Sequence, residues 1–291
     1  MKLRLLKCKV TNASVDWITC TGATRESREQ LWHIGNRMLH RSKSEGQDAS
    51  RWHANGYSGW SDGSVSFGVR ADGCILRISG QQAADEWREC FRASENTSRM
   101  DLAVDCQLNV PMPALSRQIY RDAGHVVPLC GRKPSRSLVV SGDGGSTVYI
   151  GARVSESFGR VYDKGIEQKV APAGTWWRWE LELKGKTALA QAELLSSSDD
   201  HRVLLMSTVN HWFRARTTHA YTTTDVCHSI LLSRKRTTND RRLHWLAHDV
   251  RPTVRRLLDE VGYDRVAFAL GLPPQSAVDS PVIHNSSKEC A

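Results

Sequence analysis

Apolar residues recur along this chain at two spacings. Up to about residue 185, short stretches alternate apolar and polar positions, as half-buried strands do, and between them lie segments whose apolar residues recur three and four apart. "VDWITCTG" (15–22) reads as a strand, and "RESREQLWHIGNRMLH" as a helix with Leu31, Ile34, Met38 and Leu39 on one face. "GSVSFGVRADGCILRISG" predicts a hairpin turning at Asp72-Gly73, a pair suited to positive φ. A helix over 82–93 then buries Trp87, Cys90 and Phe91, the strand "RMDLAVDCQL" follows, and Pro113 fits the first turn of a helix reaching Asp122. The basic loop "GRKPSRS" leads into "SLVVSG" and a second hairpin, "TVYIGARVSESFGRVYDKG", and "WWRWELELKG" closes the series. "GDGG" (142–145) reads as a turn, because no Lys-Ser/Thr pair follows it as in a phosphate loop.

Beyond this point the pattern is helical: "TALAQAELL", "HRVLLMSTVNHWFRAR" and "DRRLHWLAHDVRPTVRRLLDEV", with Pro252 kinking or splitting the last. The expected fold class is α+β, a mixed or antiparallel sheet domain with flanking helices over 1–185, whose two halves are candidates for a diverged duplication. A helical, basic region is expected over 186–272, and a polar Pro/Ser-rich tail over 273–291 is expected to be disordered.

Strand parity sorts the polar residues. In "RMDLAVDCQL", Met100, Leu102, Val104 and Cys106 form an apolar face and leave Arg99, Asp101 and Asp105 on the other. In "WWRWELELKG", Trp177, Trp179, Leu181 and Leu183 pack inward while Arg178, Glu180, Glu182 and Lys184 face away. "TVYIGAR" turns Thr147, Tyr149, Gly151 and Arg153 outward, with Gly151 read as leaving room beside Tyr149, and "GRVYDKG" adds Arg160, Tyr162 and Lys164 from one face. If these faces coincide, they gather carboxylates, tyrosines and bases around one spot. Asp and Glu are hard oxygen ligands that suit Mg²⁺ or Mn²⁺. A phenol is a weak nucleophile until a cation or base helps remove its proton, and Lys164 and Arg160 could give that help. Phosphodiester cleavage needs this combination of alignment and charge neutralisation. The alternatives at this point are a solvent-facing set of charged strand residues and a half-buried strand tyrosine.

Composition narrows the partners. A chain of 291 residues with 40% hydrophobic and 24% charged residues has the make-up of a globular protein, and no apolar run approaches a membrane span. The start has no continuous apolar segment of the signal-peptide kind, so a cytoplasmic location is expected, and the eight scattered cysteines, without a CxxC pair, are expected to be reduced core residues. The net charge is +9, and between Asp200 and Arg256 eleven Lys or Arg face four acids. That cluster points to phosphate contact, and Arg214, Arg216, Arg234, Lys235, Arg236, Arg241 and Arg242, with Arg153 of the hairpin, are the candidate DNA-binding residues. His244 and His248, four apart, have no evident third ligand for zinc.

The runs "SVDWITCTG", "GYSGWSDGSVSFGVRADGCILRISGQQA", "RMDLAVDCQL", "TVYIGARVSESFGRVYDKGIEQ" and "WWRWELELKG", in this order, resemble the replication initiation factors of filamentous phages, which are similar to rolling-circle plasmid initiators of the Rep_trans type. The resemblance covers roughly residues 12 to 200, and its most specific part is the YIG-x-R…R-x-Y-x-K-x-x-E block followed by R-x-E-x-E. It implies a metal-dependent DNA endonuclease and strand transferase in which Tyr149 nicks one strand, becomes linked to the 5′ phosphate and frees a 3′ hydroxyl. The metal-holding carboxylates fall by motif on Asp101 and Glu180, with Asp105 and Glu182 as further members. Arg160, Tyr162 and Lys164 occupy the block's other polar positions, and their roles as phosphate or nucleophile helpers are inferred from chemistry. The implied partners are origin DNA, duplex and single-stranded, a host helicase and polymerase, and a second copy of the chain, with no membrane. The other readings are a DNA-binding regulator that does not nick and a nuclease whose nucleophile is water.

Overall fold

The structure is a computed structural model, and the residues it describes are 4–7, 9–44, 46, 48–107, 112–124, 134–142, 144–170, 175–217, 219–222 and 251–270. Contacts divide the chain into two units, Met1–Ser233 and Arg234–Ala291. In the first unit, ten strands form one sheet: β2 (Lys9–Gly22), β3 (Ser50–Ala54), β4 (Tyr57–Ser61), β5 (Val65–Arg70), β6 (Gly73–Ser79), β7 (Asn96–Gln107), β8 (Arg136–Val140), β9 (Ser146–Ile150), β10 (Ser157–Asp163) and β11 (Trp176–Lys184). A separate parallel pair joins β1 (Arg4–Lys7) to β12 (His219–Thr222). The helices of this unit are α1 (Arg25–Ser44), α2 (Gly80–Ala93), α3 (Met112–Ala123), α4 (Lys164–Gln168), α5 (Gly185–Ser196) and α6 (His201–Thr217). The second unit holds α7 (Arg251–Val261) and α8 (Tyr263–Leu270), separated by Gly262 at φ 82°.

The sheet order is β3-β4-β5-β6-β2-β7-β11-β10-β9-β8, and every neighbouring pair is antiparallel. Read from the middle, this order is the same topology twice: a central strand, a helix, and a four-stranded meander that returns beside the central strand. Ser79 and Lys184, the last strand residues of the two meanders, pair with Trp17 and Arg99, so Trp17 corresponds to Arg99 and the pseudo-two-fold falls at the Ile18–Met100 pair. Both meanders end alike. Ser79 leads into Gly80 (φ 63°) and α2, and Lys184 leads into Gly185 (φ 53°) and α5, so a left-handed residue turns the chain from strand to helix in each half. The two halves, candidates for a diverged duplication, thus share one topology.

Parity decides which face is covered. Ile18, Cys20, Leu76, Ile78, Met100, Leu102, Val104, Val148, Val161, Trp179 and Leu181 are buried in one core beneath α1, α2, α3, α5 and α6. The core closes tightly: Trp179 meets Phe213 of α6 edge-on at 4.9 Å, and a Cβ added to Gly159 would stand 2.3 Å from the Trp212 ring. α5 and α6 therefore belong with the sheet, where the sequence reading placed the start of the basic region at 186; their apolar residues Ala188, Ala192, Leu205 and Val209 are part of the core. The β5–β6 hairpin forms one residue earlier than expected, with Ala71 and Asp72 at its tip and Gly73 already in β6. Cys20, Cys74, Cys90 and Cys106 are buried thiols, and burial pushes the Cys20 thiol up to about 11. Among the described residues no helix is long and apolar enough to cross a membrane.

Candidate active site

The sheet's other face carries the polar residues, and the register sets them in rows about 4.8 Å apart per strand. One row runs Ser137, Tyr149, Arg160, Glu180, Ala103 across β8, β9, β10, β11 and β7. Two residues along each strand, a second row runs Phe158, Glu182, Asp101, Trp17, and on the opposite side a third runs Thr147, Tyr162, Arg178, Asp105, Asn12. Tyr149, Arg160, Glu180, Glu182 and Asp101 are thus gathered by four strands that lie far apart in sequence.

The carboxylates are buried and bridged by guanidinium groups. Asp101 is 1% exposed and accepts from Arg99 Nε at 2.9 Å and Nη2 at 2.6 Å, while Arg99 also reaches Glu182 at 3.0 Å. Arg160 pairs with Glu180, itself 1% exposed, and its Nη2 lies 3.8 Å from Asp101. Burial pushes the Asp101 carboxyl up to about 7 in spite of Arg99, and the charges of Glu180 and Glu182 add to the rise. Tyr162 donates to Glu180 Oε2 at 3.1 Å; burial first and the Glu180 charge second hold its phenol well above its ordinary value, so it stays protonated. Lys184 completes the network with a 2.7 Å contact to Glu182.

The expected residues sort unevenly over this geometry. Asp101, Glu180 and Glu182 come together. Asp105 stands apart, four residues and about 13 Å further along β7, held by Arg178 at 2.7 and 2.8 Å, and Arg178 also binds Asp16. Tyr149 is half-buried, stacked on Phe158 with ring centres 5.7 Å apart, and Arg153 lies 5.7 Å from its ring. Lys164, expected beside the nucleophile, opens α4 just past the far end of β10, pairs with Glu167 and lies over the Tyr162 ring at 5.7 Å. Arg160 and Arg153 are the cations next to Tyr149. Gly151 has a backbone reason: it adopts φ 92° at the end of β9 and donates its N–H to the Ser135 carbonyl at 2.7 Å. Arg214 and Arg216 lie on α6, in the helical layer, where Arg216 stacks on Trp212 at 4.3 Å. Arg234, Lys235, Arg236, Arg241 and Arg242 lie outside the described residues, as do His244 and His248. Phe158 and Arg99 were given no role from sequence, although the parity of β10 and β7 already put both on this face.

The donor set fits a small hard cation. Asp101 and Glu180 are buried oxygen donors between which a guanidinium already stands, and Mg²⁺ or Mn²⁺ needs few protein ligands because it keeps several waters. Among the described residues no three His, Cys, Asp or Glu side chains form a ready metal cage, so the set is a carboxylate pair with Glu182 beside it.

An antiparallel sheet with helices on one face is a fold that this chain shares with known proteins. A solved structure of a rolling circle replication initiator protein from Geobacillus stearothermophilus shares the fold, with a TM-score of 0.52 at 20% identity over 83% of this chain and 97% of that one. The model of the replication initiation factor family, Rep_trans, matches residues 95–265, more than half of the chain, and the chain belongs to that family. It is also similar to the "Putative DNA relaxase NicK" of Bacillus subtilis (strain 168), 25% identical over 140 residues that are 45% of this chain and 39% of that protein, so the match spans about two fifths of the relative.

Proposed function

We propose that this protein nicks and rejoins one DNA strand at a replication origin through Tyr149. The observation that carries the reading is the register row Tyr149–Arg160–Glu180, with Asp101 bridged to it by Arg160. The phenol oxygen of Tyr149 attacks phosphorus and its proton leaves to solvent. The bond to the 3′ oxygen breaks, that oxygen takes up a proton, and the 5′ phosphate stays on tyrosine. Arg160 and Arg153 offer the positive charge that steadies the phosphate. Phe158 holds the phenol ring in place. Asp101 and Glu180, with Glu182 beside them, would hold Mg²⁺ or Mn²⁺, which when bound supplies positive charge against the transferring phosphate. Because a phosphotyrosine keeps the energy of the phosphodiester, the 3′ hydroxyl can attack it in turn and reseal the strand without ATP. The setting we infer from the order of sequence motifs is a filamentous phage or related prophage, with a host helicase and polymerase acting after the nick.

The test incubates wild type and Tyr149→Phe with 5′-labelled and internally labelled origin DNA and Mg²⁺ or Mn²⁺, followed by denaturing gels. A metal-dependent protein–DNA adduct lost in Tyr149→Phe supports the reading. Cleavage without adduct would favour a water nucleophile, and binding without cleavage would favour a regulator.

A further inference from the structure

The pseudo-two-fold relates the acidic cluster to a different set of residues in the first half. With Ser79 equivalent to Lys184, the register makes Thr19 the counterpart of Asp101, Arg77 of Glu182 and Ile75 of Glu180. None of the cluster's three carboxylates has an acid at its place in the first half, and Glu182 is matched by a cation. The first half also lies outside residues 95–265, the part that matches the family.

What takes the place of the acids is a row of hydroxyls and cations. Ser50, Ser61, Ser66, Arg77, Thr19, Arg99 and Lys184 are successive register partners across β3, β4, β5, β6, β2, β7 and β11. All lie on the face away from the helices, and the row spans about 29 Å at the usual strand spacing. It ends at Arg99 and Lys184, which touch Asp101 and Glu182. Two indoles flank it. Trp52 holds the Arg77 guanidinium over its ring at 4.8 Å, and Trp17 holds that of Arg99 at 4.6 Å. Gly68 makes room for Trp52, since a Cβ there would stand 2.9 Å from the indole. Among the described residues Arg77 has no carboxylate in ion-pair distance. Burial and the Arg99 charge both depress its pKa, as expected for a cation that lacks a counter-anion.

We propose that this row is a binding track for single-stranded DNA, leading the strand across the first half of the sheet to the acidic cluster and Tyr149. Serine hydroxyls and arginine are among the groups that contact phosphate oxygens, while Thr19 is buried, accepts from Trp17 Nε1 at 2.8 Å and serves to hold that indole in the row. A guanidinium spread on an indole gives a flat surface for an unpaired base as well as N–H donors for the backbone. A single strand suits this face better than a duplex, because only unpaired bases expose the faces that such surfaces take. Arg77 is the contact residue and Trp52 the positioning residue. The two halves of the duplicated sheet would then divide the work, one cutting and one holding the strand.

The track rests on the nicking function proposed above, and the test separates the two. Fluorescence anisotropy would measure the affinity of labelled single strands that begin at the nick and extend by increasing length, and of a duplex of the longest sequence, for wild type, Arg77→Gln, Arg77→Lys and Trp52→Ala, each confirmed folded by its melting temperature. The expectation for Arg77→Gln is about tenfold weaker binding of the long single strands. The slope of log K against log salt should also fall by about 0.7 for each phosphate left without its cation. Arg77→Lys should recover part of both, Trp52→Ala should weaken binding similarly, and the loss should shrink for trimmed strands and for the duplex. Equal affinity of wild type and Arg77→Gln for the long strands, or an equal loss on duplex, would overturn the track. If wild type binds the long strand as expected but forms no tyrosine adduct, the nicking reading fails while the track stands.

Discussion

At the scale of single residues, the site is a balance between buried carboxylates and guanidinium groups. Removing one partner is costlier than the pair is stabilising, because the remaining charge cannot reach water. Arg178→Met, which strands Asp105 at 3% exposure, should lower unfolding free energy by about 3–5 kcal/mol in urea melts. Tyr162→Phe should still form the adduct, because its phenol is held protonated and serves Glu180. The metal concentration for half-maximal adduct should rise about tenfold, the usual cost of removing a ligand's hydrogen-bond partner. Asp101 makes stability depend on pH. Its carboxyl titrates near 7 when folded and near its ordinary 3.8 when unfolded, so between those values the folded state binds the extra proton. In the presence of a chelator the stabilisation contributed by Asp101 is therefore full below about pH 4 and lost as pH rises through about 7, and the melting temperature of Asp101→Asn relative to wild type should rise across that window. A difference between the two that stays constant with pH would show that other groups carry the dependence.

Among the elements, strand parity was the most legible feature. The alternation in "RMDLAVDCQL" and "WWRWELELKG" placed Asp101, Glu180 and Glu182 on one face correctly, because one side of each strand had to meet the core. Register was not legible. That Arg160 lies opposite both Tyr149 and Glu180 depends on which strands pair, and that is set by long-range packing; the same ignorance put Lys164 beside Tyr149 and Asp105 among the metal ligands. A local signal does mark one further hairpin. Asn55-Gly56, with φ of 52° and 77°, makes the tight turn between β3 and β4, and Asn-Gly between strand-like segments is a strong hairpin signature. The strand-to-helix glycines give a test of the duplication. Nothing lies within 4 Å of a Cβ at Gly80 or Gly185, so alanine at either should cost only the left-handed backbone penalty, about 1–2 kcal/mol and similar in both halves by urea melts. Gly159→Ala should cost more, because its Cβ would run into Trp212.

At the scale of the ten-stranded sheet, two halves of the same topology carry different charge on the face away from the helices. Helices cover one side of both halves, and on the other side, among the described residues, the Asp101–Glu180–Glu182 cluster lies in the second half. The basic residues Arg234 to Arg242 were read from charge alone, and their part in duplex binding is a proposal. Arg241→Gln with Arg242→Gln should weaken duplex binding and lower the salt slope by about 0.9 for each phosphate no longer neutralised; an unchanged slope would remove them from the interface. The central claim is that Tyr149 becomes the 5′-phosphotyrosine, and mass spectrometry of the trapped adduct tests it most directly. After nuclease and trypsin digestion, residual nucleotide mass should reside on the peptide 137–153, which contains Tyr149. Mass on the separate peptide 161–164, which contains Tyr162, or cleavage with no modified peptide, would contradict it.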